Sequence, residues 1–321
     1  MMKQGYVLLL APLLLAACDN PPQETALMQP PPQDNAELQA LIRQVKSNLV
    51  FVQSGDFLMG DFGGDYGPEK IQYDTNEDSK PLHKVTLSSY SIGKFKTTNQ
   101  EYQRYLKINN KTISKASNSL AQERMDALNK LPNTPAHMDW HEAEQYCAWL
   151  GKVSGLPFAL PTEAQWEYAA RSRGQFFIVA TNSGVLEMDG IQRGINISGS
   201  LDREEFARKM GLSTDIYTAM PVDSYPPNPL GIYDMAGNGY EWVKDWYDPD
   251  YYQHSPVVDP QGPEKPVYKD FYGNFTRVLR GADYSGPFKG LTIARFSGDP
   301  QESIPTNKTV RCVVNSPQPV K

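Results

Sequence analysis

The chain has 321 residues, 40% of them hydrophobic, with 31 basic and 37 acidic side chains and a formal charge of -6. That is enough apolar material for one large core or two small ones. A net negative chain without a Lys or Arg cluster excludes a nucleic-acid partner, because a phosphate backbone is met by a basic face.

The leader, MMKQGYVLLLAPLLLAAC, has a single Lys3 and an apolar stretch from Tyr6 to Ala17 that is too short to span a bilayer and reads as a signal-peptide core. LAAC, Leu15 to Cys18, resembles the bacterial lipobox, which implies lipidation of Cys18 and attachment to the membrane through that lipid. Asp19 and Asn20 resemble the signal that retains lipoproteins at the inner membrane, so the expected location is the periplasm, lipid-anchored, at the inner membrane. Residues 1–18 are then the signal peptide, 19–36 a Pro- and Gln-rich flexible tether, and 37–318 the folded domain.

Glu37 to Leu49 has apolar residues at helical spacing and predicts a short surface helix. VFVQSGDFLMGD, from Val50, reads as a hairpin turning at Ser54-Gly55, and the acidic, glycine-rich stretch from Asp61 to Lys80 as a loop. A strand is expected from Lys84 to Ile92. Thr98 with Glu101, Asp139 with Glu142 and Thr162 with Gln165 are capping-box pairs that start three helices, with Gly151 ending the second and Gly174 the third. A further helix is expected from Leu120 to Asn129. After Gly174 the chain is turn-rich, and so much irregular backbone calls for support from ions or a disulfide.

The organising stretch is GIYDMAGNGYEWVKDWY, Gly231 to Tyr247, which has no apolar run long enough for an ordinary helix or core strand. Asp234, Gly237, Gly239 and Glu241 alternate so that two carboxylates and two carbonyls can converge on calcium, the alternative being an aromatic turn whose acids face solvent. The segment is similar to the GN-x-WEW-x-DWY signature of the formylglycine-generating enzyme (sulfatase-modifying factor) family, and LPTEAQWEYAARSRG, Leu160 to Gly174, is similar to its other signature. Weaker similarity extends over roughly residues 48–316. The resemblance implies an α+β fold, the family's loop-rich variant of the C-type lectin fold.

It also implies a bridge between Cys147 and Cys312, where the residues alone leave two separately buried thiols open. A second calcium site is implied at Asn196, Ile197, Asp215 and Tyr217, although the spacing to Pro221 is a residue short and Asn196 can equally cap a turn. Active family members carry two copper-binding cysteines in the counterpart of RVLRGADYSGPFKGLTIAR, Arg277 to Arg295; this stretch contains none, so no copper is expected. His137 and His141 lack the third histidine of an iron site, and there is no GxSxG, P-loop, HExxH or CxxC motif. By resemblance, Tyr240, Tyr284, Ser285 and Phe288 would line the old catalytic groove. The reading is a lipoprotein with a catalytically degenerate domain, structurally calcium-bound, that binds a periplasmic peptide, glycan or protein. The alternative is an oxygen- or metal-dependent oxidoreductase with non-cysteine ligands.

Overall fold

The computed structural model describes residues 36–113, 118–212, 218–284, 290–301 and 307–321. The leader with Cys18, the tether up to residue 35, and Asp215, Tyr217, Ser285 and Phe288 lie outside the described residues. Among the described residues no helix is long and apolar enough to cross a membrane.

Local chemistry sets the helices. Helix α1 (Ala36–Ser47) buries Leu38, Leu41 and Val45, spaced to share one face. Gly63–Tyr66 forms the short α2 inside the expected loop. Helix α3 (Asn99–Ile108) starts on Thr98, whose hydroxyl accepts the Glu101 N–H. The box stays half-made, because the Glu101 carboxylate takes the Tyr146 hydroxyl instead. Ser119–Asn129 forms α4. Helix α5 (Trp140–Ser154) has a closed box, with Asp139 accepting from Glu142 at 2.8 Å and Glu142 from Asp139 at 3.1 Å. It runs through Gly151, the expected stop, and ends at Gly155, which has φ 70°. Gly151 serves close approach instead, since a Cβ there would stand 3.3 Å from the Leu156 carbonyl and 3.4 Å from that of Phe158. Helix α6 (Glu163–Ala170) starts on the Thr162–Gln165 box, and Ser200–Lys209 forms α7, which the turn-rich reading missed.

The strands depart further from expectation. Strands β1 (Leu49–Val52) and β2 (Gly55–Met59) do not pair with each other: β2 pairs with β3 (His83–Leu87), and β1 with β4 (Tyr90–Gly93). The single strand expected over 84–92 is therefore two. It breaks where the Ser88 N–H and hydroxyl both bond Asp259, at 2.8 and 2.6 Å, and Ser89 Oγ accepts the Ser54 N–H at 2.8 Å.

The remaining strands are β5 (Phe158–Ala159), β6 (Met188–Asp189), β7 (Arg193–Gly194), β8 (Tyr240–Trp246), β9 (Arg277–Arg280), β10 (Phe296–Gly298), β11 (Lys308–Thr309) and β12 (Val313–Val314). Strand β6 pairs with β7 alone, and the others complete two four-stranded sheets, ordered β1-β4-β12-β5 and β10-β9-β8-β11. The stretch that looked too short of aliphatics to be a core strand is thus one: Trp242 and Val243 in β8 are fully buried, and Trp242 Nε1 donates to the Met138 carbonyl at 3.0 Å. Large aromatics supply there the burial that an aliphatic run would. One core cluster gathers around Trp166 and a second around Trp242. Cys147 and Cys312 are bridged with Cα atoms 5.6 Å apart, tying α5 to the segment between β11 and β12.

Candidate functional site

Glu241 sits on β8, within the Gly231–Tyr247 signature, with no exposed surface, and both its oxygens are saturated. Oε1 accepts from Lys96 Nζ at 2.8 Å and a terminal Arg311 nitrogen at 2.8 Å; Oε2 accepts from Arg311 Nε at 2.6 Å and Trp166 Nε1 at 2.9 Å. Burial alone would raise this carboxyl, but the Arg311 guanidinium and the Lys96 ammonium hold it down at about 2. Lys96 Nζ also donates to the Gly239 carbonyl at 2.8 Å. Gly239 has φ 100°, and a Cβ there would stand 2.8 Å from the Thr309 methyl. Asp234, also left-handed at φ 58°, accepts from the Asn238 side chain at 2.8 Å, and its carboxyl is raised to about 6, chiefly by burial.

This geometry bears on the first calcium expectation. Asp234, Gly237, Gly239 and Glu241 do lie together, but the carbonyl of Gly239 and both oxygens of Glu241 are already engaged by protein N–H donors. The expected oxygen shell is not available as it stands. Of the second site, Asn196 and Ile197 are described. Asn196 Oδ1 accepts the Glu187 N–H at 2.9 Å and its amide donates to the Val185 carbonyl at 3.0 Å, which is a turn-capping role. The Ile197 side chain would lie 3.2 Å from a Cβ at Gly237, so the two candidate segments touch.

The other signature builds an internal ion network. Glu163 Oε1 accepts from Arg280 at 2.7 Å and Arg295 Nε at 2.7 Å, and its Oε2 from Arg295 at 3.0 Å. Glu167 accepts from Arg171 at 2.9 Å, Arg280 at 2.8 Å and the Gly60 N–H at 3.0 Å. Arg295 closes on the Asp78 carbonyl at 2.6 Å. All five charged side chains are at most 2% exposed. Three guanidinium groups against two carboxylates leave spare donors; backbone carbonyls of Leu58, Gln175, Asp78 and Thr292 take four of them, while Arg280 Nε has no partner among the described residues. These motif residues hold α6, β9 and the loop before β3 together; none is free to reach a substrate.

The remaining candidates lie toward the old groove. Tyr240 is half-buried and packs on Phe296, ring centroids 5.0 Å apart. Tyr284 is only 1% exposed and shares a hydrogen bond with His137 Nε2, so its ring is sealed and does not line a groove wall. Burial lowers His137 to about 3, so the ring is neutral, and its Nδ1 has no partner among the described residues. His141 lies exposed on α5, apart from this pair. No group of three His, Cys, Asp or Glu residues suited to a metal ion occurs among the described residues. Lys96 and the His137–Tyr284 pair were missed in the sequence: a lone lysine carries no motif, and its partner Glu241 is 145 positions away.

The domain is a loop-rich α+β scaffold of the C-type lectin type, as its structural neighbours show, with its signature carboxylates locked inside. The solved structure of PvdO from Pseudomonas aeruginosa superposes with a TM-score of 0.61 at 24% identity, covering 83% of this chain and 93% of that one. The sulfatase-modifying factor enzyme 1-like domain profile matches residues 35–316, and the chain belongs to that family. The chain is 31% identical to the serine/threonine-protein kinase pkn1 of Chlamydia pneumoniae over 284 residues, covering 84% of this chain and 38% of the kinase. It is 35% identical to the formylglycine-generating enzyme of Streptomyces coelicolor over 187 residues, covering 56% of this chain and 52% of that enzyme. The chain thus spans well under two thirds of the length of these curated relatives.

Proposed function

We propose that this protein is a lipid-anchored periplasmic binding module: a formylglycine-generating-enzyme-like domain without the oxidase chemistry, which engages a peptide, glycan or protein partner at the cell envelope. One observation carries the first half. Of three cysteines, Cys147 and Cys312 are joined to each other and Cys18 belongs to the leader, so the domain has no thiolate pair for a soft copper ion. The LAAC motif at Cys18 supports the anchor, with the prolines of residues 19–35 as its tether.

For the binding half, the support is an aromatic tip between β8 and β9. Phe271 is 97% exposed and Tyr272 84%, yet their turn is built with care: Asp270 Oδ1 accepts the N–H of Tyr272 and of Asn274, each at 2.9 Å. Two apolar rings held to solvent on an ordered turn cost hydration and are useful against a partner surface. Envelope extract passed over the immobilised domain, compared with a Phe271→Ser/Tyr272→Ser double variant of unchanged melting temperature, tests this. Specific capture that the double variant loses is the expected result. Equal capture by both, or conversion of a peptide cysteine to formylglycine by the purified protein with copper and oxygen, would overturn it.

A further inference from the structure

We infer that the Lys96 ammonium is a built-in replacement for a structural divalent cation, so that the loop from Asp234 to Glu241 is braced from within and binds no calcium. The ammonium lies 2.8 Å from the Gly239 carbonyl and 2.8 Å from Glu241 Oε1, two of the four oxygens that the loop's pattern offers to a cation. It is fully buried, and so is the carboxylate it meets.

The side chain is delivered there by a fixed backbone. On either side of Lys96, the Lys94 carbonyl accepts the Tyr233 N–H at 2.9 Å and the Thr97 N–H donates to the Val310 carbonyl at 2.8 Å, which pins the segment between the loop and the link from β11 to β12 that carries Arg311. Burial pulls the pKa of Lys96 down, and Glu241 works against that.

Charge makes the same point. Asp234 and Glu241 supply two negative charges, and Lys96 and Arg311 two positive ones, so the pocket is balanced as built. A calcium ion added to it would leave two uncompensated positive charges in a buried site, where the Gly239 carbonyl and both Glu241 oxygens already accept protein N–H groups. Removing Lys96 tips the balance to one net negative charge and frees the Gly239 carbonyl and a lone pair of Glu241, which restores what a hard cation needs.

The test uses terbium and calcium on the folded domain. Trp166 Nε1 is 2.9 Å from Glu241 Oε2, which makes that indole the sensitiser for a terbium ion held in the loop. Wild-type protein is expected to bind the same number of calcium ions as Asp234→Ala, and to show terbium luminescence that Asp234→Ala leaves unchanged. Lys96→Met is expected to gain one calcium ion and Trp166-sensitised luminescence, and to melt about 5 °C higher in saturating calcium than in chelator. A Lys96→Met protein that folds only with calcium present supports the inference equally. Wild-type protein that loses one calcium ion on Asp234→Ala substitution would overturn it, as would a folded Lys96→Met that gains none. The wild-type arm decides the matter even where Lys96→Met does not fold at all.

Discussion

Reducing the Cys147–Cys312 bridge is the perturbation whose size follows most directly from the structure. The bond closes a loop with a sequence separation of 165 residues. On the chain-entropy relation, tethering the ends of such a loop in the unfolded ensemble contributes about 5 kcal/mol near 25 °C. Both cysteines are buried, Cys147 completely and Cys312 at 6% exposure, and each replaced sulfur also costs packing in the cluster around Trp242. A Cys147→Ala/Cys312→Ala variant should therefore lose about 5 kcal/mol by urea unfolding, with a melting temperature roughly 10 °C lower for a domain of this size. Wild-type protein in reductant should match it, whereas oxidised wild type should not. If the double variant and oxidised wild type unfold within about 1 kcal/mol of each other, the bridge does not restrict the unfolded chain and the reasoning fails.

Glu163→Gln keeps the shape of the side chain but leaves Arg280 and Arg295 short of a carboxylate in a site with no exposed surface, and should cost about 3–5 kcal/mol by chemical denaturation; a loss under 1 kcal/mol would show that the backbone carbonyls suffice alone. A pH series tests Glu101. Burial raises its carboxyl from 4.5 to about 7, opposed by the Tyr146 hydroxyl. A raised carboxyl binds protons more tightly in the folded state, so its contribution is full below pH 4.5 and is lost as pH rises through 7. Wild type should forfeit about 3 kcal/mol between pH 5 and pH 8 through this group, and Glu101→Gln should flatten that slope. An unchanged slope in Glu101→Gln would assign the pH dependence elsewhere.

What the sequence disclosed was chemistry acting over three or four residues. Thr98, Asp139 and Thr162 mark helix starts because a capping oxygen and its backbone donor are near neighbours in the chain. The same reasoning failed at Gly151, where the helix is carried on by a contact with β5 that local propensity does not encode. Strand pairing was poorly legible for the same reason. Strands β1 and β2 are separated by only Gln53 and Ser54, yet they part to different sheets, β1 to β4 and β2 to β3. The family signatures were legible as motifs, but their work was not. In the sequence Glu241 reads as a calcium ligand and Glu163 and Glu167 carry no role of their own, whereas in the fold Arg280, Arg295, Arg311 and Lys96 arrive from distant segments, with Arg171 one turn away, to enclose them.

The order of strands in the two main sheets bears on how the molecule is made. Strand β12, almost at the end of the chain, lies between β4 and β5 in one sheet, and β11 just before it forms an edge of the other beside β8. A ribosome releases those residues after β4, β5 and β8. Until they emerge, β4 and β5 face a gap where their common neighbour belongs, and Cys147 waits for its mate. A nascent copy must therefore be shielded from sticking to others until β11 and β12 have emerged, and deleting residues 308–314 would open both sheets at once.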